Sequence, residues 1–546
     1  MKIQEKYARQ ARFLYPERSW PDQNLDKAPR WCSVDLRDGN QALPEPMDAA
    51  TKLAFFRTLC EVGLKEIEIG FPSASAIEYD FIRQLIEGGH IPDDVTPQVL
   101  SQCRRNLIVR TVDSLRGARK AILHLYCSTS PLQRRVVFGL SQDEVLRIIL
   151  NGVQDAMELC RDSDCCFSLE FSPEHFNETE PDFALRCCEE IAEMWLPRMS
   201  GELIFNLPAT VETSSPHIFA DQVEYYIRHL SCRNECTVSL HTHNDRGCAV
   251  AATELALLAG ADRVEGTLFG NGERTGNMDM ICLAGNLLSQ GVDPKLKLGE
   301  LGKLTKLYEE YTGMRVSPRA PYEGELVFTA FSGSHQDAIG KGKRAAAGEG
   351  RWEVPYLLVD PADFGRQYEP IVRINSQSGK GGLDFVLRDD YGLELPKPML
   401  ADFAGEIQTL SESLGELLPE QIYNAFEKRY VYNQKRLLLS DVAETPDGYR
   451  LRLLRDGAAC ELPVPDDAEE AQLYGQLSEL CGRTLLPGGS SVQRLSGPCG
   501  RAVFYCSVRD AQGGTGFGAA IESDDRKGRA SALISAVNQI LNGGEL

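Results

Sequence analysis

The sequence predicts an α/β protein: a (β/α)8 TIM barrel, then a helical connecting segment, then a small α+β unit. Three observations carry that reading. Eight short β-like runs recur between residues 31 and 270. Stretches with apolar residues at helical spacing, such as MDAATKLAFFRTLCEVG and VAATELALLAGA, lie between them. Polar residues gather at the C-terminal ends of the runs. Eight strands alternating with helices over about 240 residues match the count and length of a TIM barrel. An open doubly wound sheet is the alternative, but it uses fewer strands and favours a Gly-rich first turn, and none follows WCSVDL.

Taken in order, residues 1–30 are polar and Pro-punctuated and read as an N-terminal arm. The barrel is expected over 31–303. Strand one, WCSVDL (31–36), ends in Arg37, Asp38 and Gln41. Strand two, EIEIGF (66–71), carries Glu66, Glu68 and Gly70 at period two, and TPQVLS (96–101) is strand three. Strand four, AILHLY (121–126), brings His124, Tyr126 and Ser128; strand five, CFSLEF (166–171), brings Ser168 and Glu170. Strand six, ELIFNL (202–207), leads through Asn206 to Pro208 and Thr210. Strand seven, TVSLHTH (237–243), ends in His241 and His243; strand eight, RVEGTLFG (263–270), precedes GNGERTGN with Glu273 and Asn277. Residues i and i+2 of a strand share a face, and barrel enzymes place their chemistry at the C-terminal strand ends. Any one such pair is as readily a solvated strand end; seven of eight strands ending this way is not.

Residues 304–430 read as an α-rich connecting segment, entered through LGELGKLTKLYEEYTGM and the Pro-rich break VSPRAPYEG. SQSGKGG (376–382) lacks P-loop spacing and reads as a turn or a helix start. Residues 431–546 contain two successive βββα patterns, with helices expected at 467–481 and about 526–542, as in a small pseudo-symmetric domain. Few polar residues converge there, so it reads as a binding or dimerising module.

Composition narrows the function classes. With 58 basic and 79 acidic residues the formal charge is −21, which argues against a nucleic-acid partner. No apolar run is long enough for a membrane span, and the first residues lack a signal-peptide core. The 17 cysteines are scattered without CxxC or framework spacing, which points to reduced thiols and a cytoplasmic setting. The sharpest motif is VSLHTHND (238–245). Two imidazoles on one strand face are either half of a divalent-metal site or two polar residues at a strand end.

As a set, SVDLRDGNQ (33–41), HLYCSTSPLQRRVVF (124–138), SLEFSPE (168–174), NLPATVE (206–212), HTHNDRGCAVAATELALLAGADRVEGTLFGNGERTGN (241–277), FTAFSGSHQDA (328–338) and WEVPY (352–356) resemble the α-isopropylmalate synthases of the long form. The resemblance is dense over 30–430 and looser beyond. It implies a TIM-barrel catalytic domain, a helical subdomain, and a regulatory domain that binds leucine in relatives. It also implies condensation of acetyl-CoA with 2-oxoisovalerate to 2-isopropylmalate, the entry step of leucine synthesis, by a homodimer whose helical subdomain reaches over the partner's active site.

On this resemblance a divalent cation, Mg²⁺ first with Mn²⁺ or Zn²⁺ as alternatives, is held by Asp38, His241, His243 and Asn277. Arg37 sets a charge beside the keto oxygen, against the bland reading of an ion pair with Asp35 or Asp38. His124, Ser168 and Thr210 hold the keto-acid carboxylate, while Tyr126, Asn206 and Pro208 shape the side-chain pocket. The base that takes a proton from acetyl-CoA is one of Glu170, Glu273, His335 and Tyr356, the last two also fitting thioester hydrolysis. Outside its SGSHQDA context His335 would be an ordinary loop histidine. Cys127 stands where Asn is usual, and AACELPVPDD (458–467) replaces a GxGNGP-type stretch while GGTGFGAAIES (513–523) is retained. The second change counts against leucine control and not against dimer formation. Homocitrate synthase, citramalate synthase, a related aldolase or lyase, and a non-catalytic leucine-sensing paralogue are the competing readings.

Overall fold

The structure, a computed structural model, describes residues 3–7, 13–161, 163–330, 333–346, 350–368, 380–414, 417–433, 435–466, 470–495 and 501–542. Strands β1 (Arg30–Ser33), β2 (Glu66–Gly70), β3 (Thr96–Gln102), β4 (Lys120–Ser128), β5 (Cys166–Glu174), β6 (Leu203–Ala209), β7 (Cys236–Thr242) and β8 (Arg263–Gly266) close into a parallel barrel in sequence order, with β1 pairing β8. One set of alternate residues, including Ile67, Val99, Leu123, Phe171, Leu240 and Val264, is apolar and fully buried. The other alternate set, including Glu68, Gln98, Glu170, Arg263 and Glu265, is polar or charged and buried inside the barrel.

Helix starts also shape the barrel mouth. Asp48 accepts from the Thr51 amide at 2.8 Å and caps helix Ala49–Val62, which Gly63 ends at φ 113. Ser75 caps Ala76–Glu87 in the same way. Several strand ends depart from expectation: β8 stops at Gly266 and a 3₁₀ turn, Leu268–Gly270, takes up the rest of RVEGTLFG, while β4 and β6 each run two residues further. β1 stops at Ser33, and Asp35–Gly39 winds into a π-helical turn. Asp35 accepts from Ser33 Oγ at 2.8 Å and from the Leu268 amide at 3.1 Å, which bends the chain there. β5 runs three residues further than CFSLEF, to Glu174, paired through Ser128↔Glu174.

The chain forms two compact units, one reaching to Phe328 plus Val359–Gln367, the other Thr329–Leu358 and from Tyr368 onward. In the first, helix Leu301–Thr312 packs against the barrel helices, with Tyr308 edge-on to Phe55 and Phe269. In the second, β9 (Leu437–Thr445), β10 (Gly448–Arg455) and β11 (Ala458–Pro465) form one antiparallel sheet, ordered β11-β10-β9. β12 (Leu485–Arg494), β13 (Ala502–Asp510) and β14 (Thr515–Glu522) form another. Helices Glu470–Cys481 and Asp525–Leu541 follow the two triplets, with 467–469 outside the described residues.

Phe504 and Val508 of β13 join a core with Leu451, Leu453, Ile534 and Val537. Val503 and Tyr505, on the other face by strand alternation, pack with Phe403, Phe426 and Tyr430. Packing thus divides the chain elsewhere than the composition-based breaks at 303/304 and 430/431. The first helical stretch buries its apolar face on the barrel, and the later helices bury theirs on the C-terminal sheet. Of SQSGKGG, residues 376–379 lie outside the described residues, and Lys380 opens helix Lys380–Tyr391.

Candidate active site

A cavity of about 1110 Å³ opens at the C-terminal ends of the barrel strands. Arg37, Asp38, His124, Tyr126, Asn206, Pro208, Thr210, His241, His243 and Glu273 all line it. The π-helical turn after β1 presents Arg37 and Asp38 together. Arg37 Nη1 lies 3.0 Å from Asp38 Oδ1, and its Nε donates to Glu68 Oε1 at 2.5 Å.

Asp38, His241 and His243 form a buried cage. Asp38 Oδ2 lies 3.5 Å from His241 Nε2 and 3.8 Å from His243 Nε2, and the two Nε2 atoms are 3.3 Å apart. Asn277 Nδ2 donates to Asp38 Oδ2 at 2.8 Å. Its Oδ1 is buried without a hydrogen-bond partner among the described residues. The loop carrying Asn277 depends on Gly276, at φ 97, where a Cβ would meet the Gly270 carbonyl oxygen at 2.0 Å.

Electrostatics agree with a cation cage. Burial disfavours the Asp38 carboxylate, but Arg37 and the two imidazoles outweigh it and hold the group well below the ordinary carboxylate range. Burial pulls His241 down, yet hydrogen bonds to Asp38 and Glu265 raise it to about 9. His243, buried and facing the charged His241, falls to about 3. One carboxylate, two imidazoles and an orphaned amide oxygen fit a divalent ion of mixed N/O preference. A second acidic group, Glu68, His124 and Glu265, is also close enough to hold an ion. There the Gln98 amide fills the centre, donating to Glu68 Oε2 at 2.9 Å and Glu265 Oε1 at 2.8 Å.

The substrate side of the cavity corrects two sequence expectations. Ser168 lies low on β5, paired opposite Ile122, and does not line the cavity. Because the strand runs on, Ser172 and Glu174 reach the cavity instead. Ser172 Oγ bonds His124 Nε2 at 2.7 Å and accepts from Asn206 Nδ2 at 3.0 Å, while Glu174 bonds Ser128 Oγ. Glu170 is fully buried beneath the cavity and does not line it either. It sits 3.2 Å from Arg263 and 3.5 Å from His124 Nε2. Burial, reinforced by Glu265 and Glu68 and only partly opposed by Arg263, pushes its carboxyl well above the ordinary range.

Phe71, Ile77, Leu100, Tyr126 and Pro208 give the cavity an apolar wall. Thr210 Oγ1 accepts from the His175 amide at 2.9 Å, and Glu273 at the rim accepts from Gln41 at 3.1 Å. Cys127 does not line the cavity, and burial raises its thiol to about 12. His335 and Tyr356 belong to the second unit, where their rings stack at 4.0 Å and both are exposed.

Sequence reasoning missed the charged layer under the cavity. Arg263 is fully buried, donating to Glu66 at 2.5 Å, Gln98 at 2.7 Å and Ser239 at 2.8 Å. Glu265 accepts from His241 Nδ1 at 2.8 Å. Burial opposes its ionised form, but His241 and Arg263 hold it well below the ordinary range. The available signal was Arg263 and Glu265 at period two in a strand otherwise read as apolar.

Comparison with known proteins accords with this geometry. Residues 28–307 match the HMGL-like family model, and 325–388 match the model for the alpha-isopropylmalate synthase post-catalytic domain. A 2-isopropylmalate synthase of Azotobacter vinelandii is 50% identical over 86% of this chain and 84% of its own. One from Pseudomonas putida is 44% identical over 96% and 95%. One from Clostridium acetobutylicum is 51% identical over 80% of each. With its barrel and post-catalytic segment both matched, and relatives of 44–51% identity over most of its length, this chain belongs to the 2-isopropylmalate synthase family.

Proposed function

We propose that this protein condenses acetyl-CoA with 2-oxoisovalerate and water, giving 2-isopropylmalate and CoA at the first committed step of leucine synthesis. The observation that carries this is the Asp38–His241–His243 cage beside Arg37, opening into a cavity with an apolar wall. An α-keto acid brings two hard oxygens to the cage and a branched side chain to the wall. A bound divalent cation, Mg²⁺ first with Mn²⁺ or Zn²⁺ as alternatives, supplies Lewis-acid polarisation of the keto group. Asp38, His241, His243 and Asn277 hold it.

Arg37 faces the keto oxygen and offsets the charge that grows there as the carbon–carbon bond forms. His124, Ser172 and Thr210 hold the substrate carboxylate. Tyr126, Asn206 and Pro208, with Leu100, shape the side-chain pocket. A cavity-facing acid, Glu174 or Glu273, takes the methyl proton of acetyl-CoA. Water then cleaves the thioester, oriented by His335 and Tyr356 of a partner copy in a homodimer. The C-terminal βββα pair serves as the dimer-forming module.

A cytoplasmic setting is supported by the described cysteines, all free thiols. Among the described residues no helix is long and apolar enough to cross a membrane. The test is release of free CoA across a panel of keto acids, with and without chelator and leucine. We expect turnover with 2-oxoisovalerate, abolished by chelation. Turnover with 2-oxoglutarate or pyruvate alone overturns the substrate, and leucine binding without turnover on any keto acid overturns catalysis.

A further inference from the structure

Glu265 does not line the cavity, yet its carboxylate bonds one residue of the cage and one of the cavity wall. It is 1% exposed at the centre of the barrel. Its Oε2 accepts from His241 Nδ1 at 2.8 Å and from Asn206 Nδ2 at 3.0 Å. Its Oε1 accepts from Gln98 Nε2 at 2.8 Å and from Arg263 Nη1 at 3.2 Å. Four donors thus converge on two oxygens, and every one of them needs an acceptor.

We propose that Glu265 is the positioning residue of the cation site: it fixes His241 in the Nδ1–H tautomer, so that the Nε2 lone pair faces Asp38 and His243. The inference rests on reading Asp38, His241, His243 and Asn277 as cation ligands. An imidazole can give a cation only the nitrogen that carries no proton, and the partner of the other nitrogen decides which one that is. Here Gln98, Arg263 and Asn206 all present N–H donors to that partner, so its oxygens act as acceptors.

The same geometry dictates what an isosteric amide does. In Glu265→Gln one oxygen becomes NH₂. The charged guanidinium of Arg263 and the Gln98 amide draw the remaining oxygen to their side. The new NH₂ then faces His241 Nδ1 as a donor. Nδ1 can answer it only by losing its proton, which moves that proton to Nε2, the atom pointing into the cage. The volume and packing are unchanged, while the ligand lone pair is lost.

The experiment is equilibrium Mn²⁺ binding to the full chain, read by the electron-spin signal of free Mn²⁺, for the unsubstituted protein, E265Q and E265D. Loss of an outer-shell partner of this kind weakens metal affinity by roughly 10–100-fold. We expect that loss in E265Q, with circular dichroism unchanged, and partial recovery in E265D, which keeps the carboxylate. A folded E265Q that binds Mn²⁺ as tightly as the unsubstituted protein overturns the proposal alone. Absence of Mn²⁺ binding in the unsubstituted protein overturns the cation reading with it. If E265Q does not fold, the ¹⁵N ring shifts of His241 in the unsubstituted, Mg²⁺-loaded protein decide. A proton on Nδ1 supports the proposal, and one on Nε2 overturns it.

Discussion

Arg37 shows how much one side chain is asked to do. Its guanidinium spans Glu68 at 2.5 Å and Asp38 at 3.0 Å while facing the cavity. A planar fork can serve two carboxylates at fixed angles, and a lysine ammonium is a single point charge on a flexible stem. Arg37→Lys therefore keeps the charge and loses its aim. Removing one preorganised charge-stabilising contact costs about 10²–10³ in kcat, and we expect a loss of that order in CoA release, with a smaller change in the keto-acid KM. A kcat within about threefold of the original would remove Arg37 from the charge-stabilising role. Arg37, Asp38, His241 and His243 were legible in the sequence because each sits in a short polar motif at or just beyond the end of a β-like run. Arg263, Glu265 and Gln98 were not. A charged residue inside a strand reads as solvent-facing until its partners are known, and here those partners come from separate strands: Glu66 on β2, Gln98 on β3 and Ser239 on β7.

At the scale of elements, the eight strands were legible because short β-like runs recur between stretches of helical apolar spacing. Their ends were less so. Pro173 and the polar residues around it look like a loop, yet β5 continues through them on its pairing with β4. Period two is preserved, so the expectation for Ser168 fell on the correct face of β5, four residues too early. The loop after β8 is the element where backbone conformation bears most directly on chemistry. Gly276 adopts φ 97, and its amide carbonyl accepts from the Asn244 amide at 2.9 Å while the Asn277 amide donates to Gly270 at 3.0 Å. A methyl group at 276 would collide with the Gly270 backbone at 2.0 Å, so Gly276→Ala must move the loop. Backbone strain of this kind costs of order 1–3 kcal/mol. We expect Asn277 to leave Asp38 and the Mg²⁺ concentration for half-maximal activity to rise about tenfold or more. An unchanged Mg²⁺ requirement in G276A would show that Asn277 is not held for the cation.

At the scale of the molecule, two units with separate cores share one chain, and a cation would bind only the first. A ligand that binds the folded state and not the unfolded one stabilises it by about 2.7 kcal/mol at a hundredfold excess over its dissociation constant. That stabilisation is confined to the unit whose unfolding disperses the ligands. Asp38, His241, His243 and Asn277 all lie in the barrel unit, and the second unit has its own buried clusters around Phe504 and Phe403. Domains with their own cores unfold as separate cooperative transitions when few contacts tie them. Calorimetry should therefore show two transitions. Chelation should lower one by roughly 3–5 °C and leave the other in place, and restoring Mg²⁺ should reverse the shift. Removing the cation also returns the cage to a buried carboxylate, two imidazoles and Arg37, so the lowered transition belongs to the barrel that carries them. One transition moving as a whole would mean that the two units are thermodynamically one, and the cation would then govern the C-terminal module as well as the barrel.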